Sequence, residues 1–179
     1  NQQRGLPLVK KDWLPIHNEG LIILSGARDG DVGKALLASN MDAAANYLGF
    51  WNHHFKDRYY LELQRTGRPQ ENEYIHQVIG IAQGSGTPVV ATNDVRFIDS
   101  SDFGAHEARV CINQGRVLGD PRRPRDFSSQ QYLRTADEMI EIFSDIPEAI
   151  ENTVEIAKRC NLDLMLGKYF LPDFPIPDG

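Results

Sequence analysis

Three short apolar runs punctuate the first hundred residues: Leu21–Leu24 (LIIL), Tyr59–Leu63 (YYLEL) and Pro88–Ala91 (PVVA). Each has the length of a buried strand and ends in polar or turn-forming residues. Between them the apolar spacing changes to that of a helix. Met41–Phe55 places Ala44, Tyr47, Leu48, Trp51 and Phe55 on one face, a stripe that reads as core rather than as a cofactor box. Glu73–Ala82 does the same with Tyr74, Ile75, Val78, Ile79 and Ala82, and stops at Gly84-Ser85-Gly86. A further helix begins near Ala35 after the turn Ser25–Lys34. Strands alternating with helices predict an α/β fold with a parallel sheet or barrel and right-handed crossovers.

After Asp102 the pattern is helical. Ala105, Ala108, Cys111 and Ile112 form the expected apolar stripe, and His106 reads as a packed histidine before a ligand. Gly115 to Gln131 reads as a loop with a basic cluster, Arg116, Arg122, Arg123 and Arg125, expected to be a solvated linker before a nucleic-acid contact. Thr135-Ala136-Asp137-Glu138 is a capping-box sequence opening a helix through Phe143. Asp145 is the expected N-cap of the next helix, with Ile146, Ile150, Val154 and Ala157 as its buried face, so the two make a helical hairpin. The first twenty residues read as loop anchored by Trp13 and Leu14, and the proline-rich end, Tyr169 to Pro177, as an extended tail lying over another surface.

Candidate chemistry concentrates where the third strand ends, in Thr92, Asn93 and Asp94. On an extended backbone Asp94 and Arg96 share a face, so a carboxylate and a guanidinium can neutralise each other, and spacing alone ranks a strand-end ion pair above catalysis. Glu62 lies inside the second apolar run and needs a cation, a metal or hydrogen bonds, because burying it alone costs several kcal/mol. The Gly-rich turn before Ala35 invites comparison with the nucleotide-binding G-x-x-x-x-G-K-[ST]. It fails at Arg28, where the first glycine belongs, and at Ala35, where a Mg²⁺-coordinating hydroxyl belongs. What survives is an anion site at Gly26, Arg28 and Gly33, with a tight turn as the simpler role. Adjacent His53 and His54 diverge by about 100° on a helix and do not share a metal.

Composition narrows the picture. At 179 residues and 41% hydrophobic the chain can bury one sizeable core, and a formal net charge of −6 argues against a surface built as a nucleic-acid clamp. Two distant cysteines, Cys111 and Cys160, indicate neither a disulfide framework nor a zinc site, which suits a reducing cytosol. No apolar run reaches the roughly 18 residues of a membrane span. The opening Asn1-Gln2-Gln3 reads as the start of a piece cut from a longer protein.

The stretches LSGARDGDVGKALL, DRYYLELQRTGRP, PVVATNDVRFIDSSDFGAHEARV, IPEAIENTVEIAKRCN and KYFLPDFPIP, in this order, resemble the polymerase-and-histidinol-phosphatase (PHP) domain of bacterial replicative DNA polymerase III alpha subunits, proteobacterial type. That resemblance implies part of a distorted (β/α)7 PHP barrel with a helical C-terminal extension. Residues 1–115 would be the second half of the barrel. Residues 116–179 would be a loop, a helical hairpin and a proline-rich connection toward the polymerase palm. Family members with a complete metal site carry E-x-Q-N-H-G and N-D-V-H. Here the same places read Glu62-Leu63-Gln64-Arg65-Thr66-Gly67 and Asn93-Asp94-Val95-Arg96. Both histidines are gone, so the resemblance implies a degenerate metal site at Glu62, Thr66, Asp94 and Arg96, with Arg96 standing in for the metal by pairing with the two remaining acids.

It further implies no catalytic residue and no metal in this stretch, the polymerase aspartates and their Mg²⁺ lying elsewhere in the parent protein. The expected partners are the rest of the alpha subunit, a proofreading exonuclease subunit and, through the parent, DNA, with no membrane and a cytoplasmic location. The competing expectation is a metal-dependent phosphoesterase or pyrophosphatase using Glu62 and Asp94.

Overall fold

The computed structural model describes residues 2–3, 6–169 and 171. Three strands, β3 (Ile23–Leu24), β4 (Tyr59–Gln64) and β5 (Val89–Thr92), form one parallel sheet in the order β3-β4-β5. The register sets Leu24 beside Tyr60, Glu62 beside Val90 and Gln64 beside Thr92. A two-residue antiparallel pair, β1 (Gln2–Gln3) with β2 (Leu6–Pro7), precedes it where a loop was expected. The first strand is shorter than its apolar run, and Leu21 stands outside it and exposed.

Every residue of β4 is buried, but its two faces differ in kind. Tyr59, Leu61 and Leu63 enter the hydrophobic core together with Val89 and Ala91 of β5. The alternate positions, Glu62 and Gln64, face the other way with Thr92 and are joined by hydrogen bonds. The core lies under α1 (Asp31–Leu37), α2 (Met41–His54) and α3 (Glu71–Ser85), which contribute Val32 and Leu36, Ala44 and Leu48, and Tyr74, Ile75, Val78 and Ala82. Burying each such aliphatic or aromatic side chain contributes roughly 1.5–3 kcal/mol. Asn40 caps α2 by accepting from the Ala43 amide at 3.1 Å, and Gly86, left-handed at φ 67°, ends α3 after the expected Gly-Ser-Gly.

The C-terminal part departs further from expectation. α4 (Phe103–Gln114) buries His106, Glu107 and Cys111, whereas Ala105 and Ile112 are exposed. The face that goes inward is the one on which Glu107 finds an ion-pair partner in Arg123 and His106 packs between the rings of Phe97 and Phe127. α5 (Ala136–Ile142) opens on the expected capping box, with Thr135 and Glu138 satisfying each other's backbone amides. α6 (Pro147–Arg159) is capped at Ile146 rather than Asp145, has Pro147 at its first position, and packs on β5. Its inner face is Ala149, Ile150 and Ile156, and Val154 and Ala157 turn outward.

Phe143, Ile146 and Ala149 belong to the same core as the sheet, so packing runs continuously across residue 115. The expected extended tail beyond Leu171 lies outside the described residues.

Candidate functional site

The polar end of β4 and β5 is where the chemistry collects. Glu62, only 9% exposed, accepts three hydrogen bonds: from the Gly26 amide at 3.0 Å, from Gln64 Nε2 at 3.0 Å and from the Thr92 hydroxyl at 2.5 Å. The Ser25 hydroxyl accepts from the Glu62 amide at 2.9 Å, and the Tyr74 hydroxyl, whose pKa burial pushes up, donates to the Glu62 carbonyl at 2.9 Å. Three donors thus compensate the buried carboxylate.

The cation at the centre is Arg68. Its side chain is 6% exposed, and Nη2 donates to Gln64 Oε1 at 2.7 Å, while Nε donates to the Thr66 hydroxyl at 3.0 Å and pairs with Glu71 at 3.2 Å. Nη1 lies 3.3 Å from Asp94 and 3.5 Å from Asp29. Guanidinium nitrogens only donate and carboxylate oxygens only accept. Gln64 must therefore turn its oxygen to Arg68 and its NH₂ to Glu62, and it relays the positive charge to a carboxylate that Arg68 does not touch. Glu71, 4% exposed, closes the turn by accepting from the Thr66 amide at 2.7 Å and the Thr66 hydroxyl at 2.5 Å. Gly67, at φ 76°, reverses the chain so that Arg68 points back over the strand ends.

Asp94, two residues beyond the end of β5, adopts φ 42°, a left-handed conformation that asparagine and aspartate tolerate best. Its carboxylate is shared between Arg68, Arg96 at 2.8 Å, and Gln131, which donates through Nε2 at 2.8 Å. Arg96 therefore reaches Asp94 as the spacing implied, but the expectation that it also pairs with Glu62 is corrected. Its side chain is 42% exposed and lies against the Phe127 ring, and the buried guanidinium among the acids belongs to Arg68. Thr66, expected in the degenerate metal site where a family histidine is lost, is fully buried and bonds to Glu71 and Arg68.

The loop before α5 covers this end of the sheet. Gln131 is fully buried, its carbonyl accepts from the Arg96 amide at 2.8 Å, and Phe97 and Tyr132 pair as a parallel bridge. Asn93 donates to the carbonyls of Gln130 and Tyr132 at 2.9 and 2.7 Å. The stretch expected as solvated linker thus ends as a short strand-like lid, and its basic cluster is largely neutralised. Arg116 and Arg122 pair with Asp120, and Arg123 with Glu107.

The anion site expected at Gly26, Arg28 and Gly33 is also occupied from within. The Gly26 amide is taken by Glu62, and Arg28 donates to the Pro69 carbonyl at 2.6 Å. Gly33 packs so tightly that a Cβ there would sit 2.1 Å from the Ala27 carbonyl oxygen. The turn serves packing.

Among the described residues no group of three or more His, Cys, Asp or Glu side chains could hold a metal ion. Arg68 and Glu71 escaped sequence reasoning although a signal existed: an arginine directly before Pro69, three residues ahead of a glutamate that opens a helix.

An α/β unit with a parallel sheet and a polar cluster at its strand ends is thus the class of structure in hand, and the PHP domain family matches residues 1–66, which hold Glu62 and Thr66. Over nearly its whole length the chain is similar to DNA polymerase III subunit alpha. It is 59% identical to that of Escherichia coli (strain K12) over 180 aligned positions, covering 98% of this chain and 16% of the relative. Identity is 54% with that of Pseudomonas fluorescens (99% of this chain, 15% of the relative) and 49% with that of Haemophilus influenzae (98% and 15%). The chain is homologous to one segment of these alpha subunits and spans about one-sixth of their length.

Proposed function

We propose that this chain works as part of a replicative DNA-directed DNA polymerase, in which it forms a noncatalytic portion of a distorted (β/α)7 PHP barrel. Polymerisation, with its Mg²⁺ and its DNA, belongs to the remainder of the parent alpha subunit. The observation that carries the noncatalytic reading is the saturation of Glu62 and Asp94. Each carboxylate is held by three side-chain or backbone groups of this chain, and Arg68 places a fixed positive charge beside Asp94. A divalent cation there would have to displace those donors and sit against a guanidinium that cannot lose its proton.

By the same family resemblance the outer surface serves as a docking face for a proofreading exonuclease subunit, in the cytoplasm. No helix among the described residues is long and apolar enough to cross a membrane.

Titration of the purified protein with Mn²⁺ or Zn²⁺ under calorimetry tests the noncatalytic reading. The expected result is no stoichiometric binding and no hydrolysis of a chromogenic phosphodiester. Tight binding of one or more ions that Asp94→Ala abolishes, together with metal-dependent hydrolysis, would overturn it.

A further inference from the structure

Arg96 also lines a cavity of about 460 Å³ between α4 and the loop that carries Phe127. Its polar lining is cationic and hydrogen-bond-donating: Arg96, Arg109, His106, Asn113 and Gln114. Arg109 is exposed and forms no ion pair or hydrogen bond among the described residues. That sets it apart from the loop arginines that have acids beside them. Arg96 spends Nη2 on Asp94 and lies 5.2 Å over the Phe127 ring, so its remaining N–H groups are held in place without being used up.

His106 is the second, independent observation. It is 6% exposed, and its ring stands edge-on to Phe127 at 4.7 Å and lies 5.4 Å from Phe97, so the imidazole is locked by packing. Its Nδ1 is sealed off with no hydrogen-bond partner. Buried polar atoms almost always have partners, and this nitrogen is left without one. His106 also lines the cavity. Burial first, and then Arg109, lower the pKa of His106, with Arg96 adding to this and neighbouring Glu107 opposing it. These neighbours favour the neutral imidazole, whose ring carries one N–H. Because Glu107 is paired with Arg123, no free carboxylate among these residues cancels the charge of Arg109.

We propose that this cavity binds the phosphate group of a small phosphomonoester, with Arg109 and Arg96 clamping the oxyanion and His106, Asn113 and Gln114 donating to it. A space of this size exceeds a bare phosphate and suits a ligand of about mononucleotide size. Arginine forks match phosphate oxygens bidentately, and two arginines from different elements line this cavity.

The test is an NMR titration of the protein with inorganic phosphate and with adenosine monophosphate at pH 7, following the His106 ring and the Asn113 and Gln114 side-chain amides. Saturable shifts confined to these groups are expected, with adenosine monophosphate at least tenfold tighter than phosphate. Arg109→Gln, a change at an exposed position, should weaken binding at least tenfold. Arg125→Gln, the same charge change outside the cavity, should alter it less than twofold. Absence of saturation up to about 20 mM, or equal losses from the two variants, would overturn the assignment. So would binding of a single-stranded oligonucleotide without terminal phosphate in place of the mononucleotide, which would make the site a nucleic-acid backbone contact.

Discussion

Replacing Arg68 by methionine removes the charge around which the strand-end cluster is built while keeping much of the side chain's volume. Glu71, Thr66, Gln64 and Asp94 all lose a partner, and of these Glu71 is the most deeply buried carboxylate, at 4% exposure. Stripping one partner from a buried ion pair typically costs about 3–5 kcal/mol. Glu71 keeps its bonds from the Thr66 amide and hydroxyl, and Asp94 keeps Arg96 and Gln131, so the lower end, about 3 kcal/mol, is expected.

For a domain of this size that loss corresponds to a fall in Tm of roughly 6–12 °C. Arg96→Met removes a guanidinium that is 42% exposed and contacts a single carboxylate, and should cost less than about 1 kcal/mol. Urea unfolding of both variants decides the matter, with the double-mutant cycle of Arg68→Met and Glu71→Gln isolating the buried pair. If Arg96→Met proves as destabilising as Arg68→Met, the identification of Arg68 as the charge that closes the site is wrong.

Two further outcomes follow from the packing and the ion pairs. Gly33→Ala should destabilise by about 1–3 kcal/mol in chemical denaturation without altering secondary structure, because the added methyl meets the Ala27 carbonyl oxygen and the Arg28 Cα, both backbone. The side chain of Arg65 donates twice to Asp145 at 2.7 Å and holds the Asp145 carboxyl below its usual range. A carboxylate with a depressed folded-state pKa contributes stability that is present above the ordinary value and lost as pH falls through the folded one. The Tm difference between wild type and Arg65→Met should accordingly be largest near neutral pH and shrink on acidification below about pH 4. A difference that grows on acidification would contradict the pairing.

The reading from sequence worked where a signal was local. The three strands stand close to their apolar runs, and α2, α3 and the capping box at Thr135 answer to spacing and cap chemistry within a few residues. It failed where burial depends on a distant partner. Ile112, apolar and at the right spacing, is exposed, because the face of α4 that goes inward is chosen by Arg123 and Phe127 more than a dozen residues away. Asp145 has the composition of an N-cap but is claimed by Arg65, 80 residues earlier in the chain.

The candidate site divides the same way. That Glu62 sits within the second strand, and that Asp94 follows the third with Arg96 two residues on, could be read from the apolar runs, although Asp94 at φ 42° leaves the extended backbone and still meets Arg96. Which guanidinium neutralises the acids could not, because Arg68 comes into range only when the turn at Gly67 folds back across the sheet and the parallel register sets Gln64 beside Thr92. Electrostatic partners are selected by distance in space. Only the tertiary structure decides that distance.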